Sequence, residues 1–182
     1  MSDTPRRFLG IDLGERRIGL AIREDASAPR GLPTMMRRAT ALADSDRLRT
    51  IAAEGRVTEL VVGLPLNSDG SVGPQATATL RWAIEVAEAL QLPITFVDER
   101  YSSQRAEASL GRAARGSNGG APGPARREAR RAAIDQEAAR LILEDAMNPE
   151  LLIDPAVLAV GMLIDGLIQL ATGVCTGLWC YF

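Results

Sequence analysis

Apolar runs separated by turn formers organise this chain. Phe8, Leu9 and Ile11 make a short apolar run that reads as a strand buried on both faces. Gly14 and Gly19 bracket a turn, and Ile18, Leu20 and Ile22 alternate with small or polar residues, which predicts a hairpin. Leu32 to Met36 is expected to add a third strand to it. Asp44-Ser45-Asp46 reads as a helix start, with Leu48, Ile51 and Ala52 at helical spacing and Gly55 at the end. Leu60 to Gly63 is a second buried strand, and Leu64 to Gly73 is a loop dense in turn formers. Pro74 suits the first position of a helix whose inner face is Leu80, Ile84, Ala87 and Leu90, stopped by Pro93. Ile94 to Val97 is another buried strand, ending in Asp98-Glu99-Arg100. A helix is expected over Ser103–Ala114, a flexible stretch over Gly116–Pro124, and a last body helix over Glu128–Met147. That helix carries Ile134, Ala138, Leu141 and Ile142 on one face, and Asn148-Pro149 ends it. A hairpin followed by strand–helix alternation is the pattern of an α/β domain, a mixed sheet with helices packed on it.

Composition narrows the chemistry. The 182 residues suffice for one core, and 46% hydrophobic with 24% charged marks a globular chain. Histidine is absent and both cysteines, Cys175 and Cys180, lie near the end, so Ser-His or Cys-His nucleophiles and His-ligated zinc are excluded from the body. Acid–base or metal chemistry there rests on Asp and Glu. All 21 basic residues are Arg and lie at or before Arg140, against 18 acids in the same span, while five acids and no base follow, so the body is mildly basic. Met1 to Arg7 is polar and the first apolar run is short, so no signal peptide is expected.

Three acids stand where chemistry would need them. Asp12 interrupts the first strand, Asp98-Glu99 ends a later one, and Asp135 begins the inner face of the last body helix. Taken alone, Asp12 fits a turn cap as well as a paired carboxylate, Asp135 a first-turn acid, and Glu99 a partner of Arg100. Should the strands be neighbours and the helix cross their ends, the carboxylates converge. Oxygen-only ligands then suit Mg²⁺ or Mn²⁺, and a pair of such ions roughly 4 Å apart can activate water at a phosphodiester.

Four motifs resemble one family. Gly10-Ile11-Asp12-Leu13-Gly14 with Arg17-Ile18-Gly19, then Val61 to Gly70, then Asp98-Glu99-Arg100, then Ile134-Asp135-Gln136-Glu137-Ala138-Ala139 are similar to the YqgF/RuvX family, over about residues 6–147. The resemblance implies an RNase H-like fold related to the Holliday-junction resolvase RuvC, here a five-stranded mixed sheet with helices on both faces. Its bacterial members are regarded as nucleases maturing the 5′ end of pre-16S rRNA. It assigns metal-dependent catalysis to Asp12, Glu99 and Asp135, with Asp98 a further or substitute ligand. It makes Val61–Gly70 a strand and substrate-facing loop, in which Gly63 permits close approach and Asn67 bonds backbone or nucleic acid. Tyr101-Ser102-Ser103 departs mildly from the family's usual run, and members usually end near Met147.

Arginines 105, 112, 115, 126, 127, 130 and 131 flank the glycine-rich stretch. They read either as a phosphate-gripping arm or as a solvated helix face. Arg17, Asn67, Arg100, Arg126, Arg127, Arg130 and Arg131 are the expected nucleic-acid contacts. Residues 1–150 form the expected nuclease domain and 151–182 an apolar extension. Positions 156–182 are long enough to span a bilayer, although Asp165 near the middle would cost roughly 3 kcal/mol there. They stay open to three readings: an added helix or homodimer interface, a membrane anchor, or a run-on without a role. The expected protein is a cytoplasmic, Mg²⁺- or Mn²⁺-dependent nuclease processing precursor rRNA. The alternatives are a DNA-junction resolvase and a non-catalytic RNA- or ribosome-binding module.

Overall fold

The structure, a computed structural model, describes residues 5–100, 102–111 and 123–153. Five strands form one sheet: β1 (Arg7–Leu13), β2 (Arg17–Glu24), β3 (Arg30–Met36), β4 (Glu59–Leu64) and β5 (Ile94–Asp98). Their spatial order is β3-β2-β1-β4-β5. β1 to β3 are an antiparallel meander, and β1, β4 and β5 run parallel, so the sheet is mixed, as expected. The helices are α1 (Ala41–Gly55), α2 (Pro74–Leu90), α3 (Ser102–Ser109) and α4 (Pro124–Asp145).

Alternation along each strand sorts side chains between two cores. Leu9, Ile11, Leu60 and Val62 pack with Leu48 of α1 and Leu80 and Trp82 of α2. Phe8, Ala21, Val61 and Val97 face the other way, onto Ala139, Ile142 and Leu143 of α4. Helices therefore cover both faces of the sheet. α4 comes unusually close because its face of the sheet is paved with glycine. A methyl at Gly10 would strike Leu143 and the Ala139 carbonyl, and one at Gly19 would strike the Asp135 carbonyl. This close approach carries Asp135 over the sheet.

Three boundaries differ from expectation for identifiable reasons. α1 begins before Asp44: Thr40 is its cap, with Oγ1 accepting from the Ala43 N–H at 3.2 Å. Asp44 is instead buried, accepting from Trp82 Nε1 at 2.9 Å and from the Arg38 N–H at 2.8 Å. α4 starts at Pro124, which fills the first helical position, four residues ahead of Glu128. α3 ends at Ser109, short of Ala114, and most of the expected flexible stretch lies outside the described residues.

After α4, Asn148 caps a short 3-10 turn over Pro149–Leu151. The chain then meets the outer edge of β5, where Leu152 bridges Val97 and the Ile153 N–H donates to the Phe96 carbonyl at 3.0 Å. Residues 156–182, with their interface and anchor readings, lie outside the described residues. Among the described residues no helix is long and apolar enough to cross a membrane.

Candidate active site

Strand parity aims Asp12. It lies two residues beyond Gly10, and Gly10 faces α4, so the Asp12 side chain faces α4 as well. Its partner across the hairpin is Gly19, the residue on which Asp135 rests. Glu99 follows β5 directly, and its N–H donates to the Leu64 carbonyl at 3.1 Å. Its carboxylate lies over Gly63, beside Ile142 of α4. At Gly63, where close approach is expected, the group that comes close is the chain's own carboxylate.

The three acids thus come from β1, the end of β5 and α4 to one side of the sheet, each half-buried. Asp12 and Glu99 are joined by a side-chain hydrogen bond. Enclosure of Asp12 by protein, then the charge and hydrogen bond of Glu99, then the charge of Asp135, hold its carboxyl well above the ordinary value of 3.8. Negative charge is in excess here.

Asp135 has a cation already. Arg17 Nε donates to Asp135 Oδ2 at 2.6 Å, and its Nη1 donates to Glu128 Oε1 at 3.0 Å. Arg17 was expected to contact nucleic acid, but it is engaged by two acids of α4. The hydrogen bond to Asp135 is the main cause that keeps its guanidinium still more firmly protonated. Among the described residues no group of three or more His, Cys, Asp or Glu is spaced to hold a metal ion. The three acids offer only oxygen donors, the kind a hard divalent cation would take, and such an ion would relieve the crowding of Asp12 by burial and by its acidic neighbours.

Asp98 does not join this group. It accepts from the Arg100 N–H at 3.0 Å and from Arg100 Nε at 2.8 Å. Arg100 also reaches the Ser68 carbonyl at 3.3 Å, tying the end of β5 to the loop after β4. In that loop Asn67 Nδ2 donates to Ser71 Oγ at 2.9 Å, and Gly70 supplies the positive φ of 84° that the turn needs. Asn67 thus organises its own loop.

Of the expected arginine arm, Arg126, Arg127 and Arg131 are exposed, and half-buried Arg130 donates to the Gly111 carbonyl. Arg127 and Arg131 lie at four-residue steps from Asp135, on the stripe of α4 that leads to the carboxylates. Arg105 pairs with Asp145 at 2.7 Å, bracing α3 on α4, while positions 112 and 115 lie outside the described residues. Sequence reasoning missed Glu128 as a partner for Arg17. The one available signal was its position as a lone acid among the α4 arginines.

Residues 6–149 match the family model described as RuvX, Holliday junction resolvase. A protein of Roseiflexus sp. (strain RS-1), named "Putative pre-16S rRNA nuclease", is 37% identical over 153 residues, covering 82% of this chain and 99% of the relative. A Synechococcus sp. protein (strain ATCC 27144) of the same name is 41% identical over 143 residues, covering 78% of this chain and 89% of the relative. A structure of T. thermophilus RuvC in complex with Holliday junction substrate aligns at 14% identity and a TM-score of 0.48, covering 81% of this chain and 99% of that one.

Proposed function

The chain belongs to the RuvX family, and from that premise we propose that it is a divalent-metal-dependent endonuclease that trims the 5′ end of pre-16S rRNA in the cytoplasm. The observation that carries the reading is the meeting of Asp12, Glu99 and Asp135, from three separate elements, on the glycine-paved face of the sheet under α4. Asp12, Glu99 and Asp135 would hold Mg²⁺ or Mn²⁺. Such an ion, when bound, supplies an activated water and stabilises the leaving oxygen at a phosphodiester. The chain's own residues bring the substrate there. Arg126, Arg127 and Arg131 offer exposed guanidinium forks to phosphate along α4, and the strand ends fix the carboxylates before any substrate arrives.

Cleavage of end-labelled precursor 16S rRNA with Mg²⁺ or Mn²⁺ tests this. Wild type should cut and Asp12→Asn should not, with its fold intact by circular dichroism. The family model's own description favours a second substrate, branched DNA, so a labelled four-way junction belongs in the same assay. Cutting of the junction alone would move the substrate to DNA. Wild-type binding without cleavage of either substrate would leave a nucleic-acid-binding module.

A further inference from the structure

The cation already at Asp135 has a consequence for metal uptake. Arg17 leaves β2 on the face that α4 covers, and its guanidinium bridges Asp135 at 2.6 Å and Glu128 at 3.0 Å. Both contacts are to α4, two helical turns apart. The Arg17–Asp135 pair is largely shielded, with side chains 17% and 22% exposed, so it is screened less by solvent than a surface pair. Glu128 is 56% exposed and acts as an outer anchor for the same guanidinium.

We propose that Arg17 is a built-in counter-cation, which occupies Asp135 in place of a divalent ion and must be displaced for Asp135 to become a metal ligand. This rests on the metal reading of the site given above. Arg17 is on this view a positioning residue, acting through Asp135. The pairing sets a threshold for metal, and displacement frees a guanidinium beside the carboxylates, where phosphate would lie. Because the competition is for one carboxylate, the coupling is reciprocal: whatever draws Arg17 away tightens the ion, and the ion loosens Arg17.

Isothermal titration of the full chain with Mn²⁺ alone provides the test, without reference to activity. Arg17→Gln should bind Mn²⁺ about tenfold more tightly than wild type, and Glu128→Gln, with an exposed pair removed, about two- to threefold more tightly. Arg17→Lys keeps the charge but cannot bridge both acids, so it too should bind more tightly. Arg16→Gln, at the exposed neighbouring position, removes the same charge and should stay within about twofold of wild type. In an Asp135→Asn background, Arg17→Gln should lose its effect. Should Arg17→Gln fail to fold, the surface variant Glu128→Gln and Arg17→Lys carry the test. Unchanged or weaker Mn²⁺ binding in Arg17→Gln, with wild type binding well, would overturn the counter-cation and leave the metal reading intact. Equal tightening by Arg16→Gln would reduce the effect to net charge and overturn it as well. Absence of Mn²⁺ binding in wild type and every variant would remove the metal reading and the inference together.

Discussion

At the scale of single residues, Asp12 sets stability against chemistry. Its raised carboxyl means that the folded state binds a proton which the unfolded state, titrating near 3.8, does not. Metal-free wild type should therefore gain stability as pH falls below the raised value toward 3.8. Asp12→Asn removes the penalty, so it should raise the metal-free melting temperature at pH 7 by about 2–6 °C, with the increment shrinking as the pH is lowered. Thermal melts from pH 4 to 8 with chelator would check this; no stabilisation at pH 7 would contradict a cost of burying the Asp12 carboxylate beside Glu99 and Asp135. Asp12 was legible because a carboxylate interrupts an apolar run. The choice between Asp98 and Glu99 was not, since adjacent residues at a strand end face opposite ways and only the three-dimensional placement shows which way. Asp98 holds Arg100 and Glu99 faces Asp12. Asp44 misled for a related reason: its type and position fit a cap, and its actual partner, Trp82, is 38 residues away.

Among the elements, the contact between α4 and the sheet does most to build the site. Gly19→Ala would push a methyl into the Asp135 backbone, so it should cost about 1–3 kcal/mol in urea unfolding and also lower cleavage. A Gly19→Ala protein as stable and as active as wild type would show that α4 need not sit so close. Glu137 makes a second joint, accepting from Arg140 Nε at 2.8 Å and from Ser109 of α3 at 2.9 Å. The Arg140 hydrogen bond is the main cause that holds the Glu137 carboxyl below its ordinary value. Its contribution is present above the unfolded value of 4.5 and is lost as pH falls through the lowered folded one. Glu137→Gln should therefore cost about 0.5–1 kcal/mol at pH 7 and nothing in acid, as read by unfolding at the two pH values. The strands, the long helices and the Pro74 start of α2 were legible from apolar spacing and turn formers, whereas the Pro124 start of α4 was hidden in a glycine- and proline-rich stretch. The purpose of Gly10 and Gly19 was not legible, because they read as strand or turn punctuation until a helix is laid over them.

At the scale of the whole molecule, one end of the sheet gathers acid and α4 presents arginine beside it. Replacing Arg126, Arg127, Arg130 and Arg131 by Ala should flatten the dependence of log affinity on log salt, by up to about 3–4 in slope for duplex arms. Fluorescence anisotropy with a labelled junction and with precursor rRNA would read it, and an unchanged slope would assign these residues to a solvated face. The overall order of the fold was legible because hairpin and strand–helix alternation admit few topologies. The pairing of Arg17 with Asp135 was not, since it joins residues 118 positions apart. The most direct measurement is single-turnover cleavage of precursor 16S rRNA in Mn²⁺ by four variants: Asp12→Asn, Glu99→Gln, Asp135→Asn and Asp98→Asn. The first three should each lose at least about a hundredfold in rate while Asp98→Asn stays within about tenfold of wild type. Wild-type rates in Asp12→Asn, or equal losses at Asp98 and Glu99, would contradict a catalytic group built from Asp12, Glu99 and Asp135.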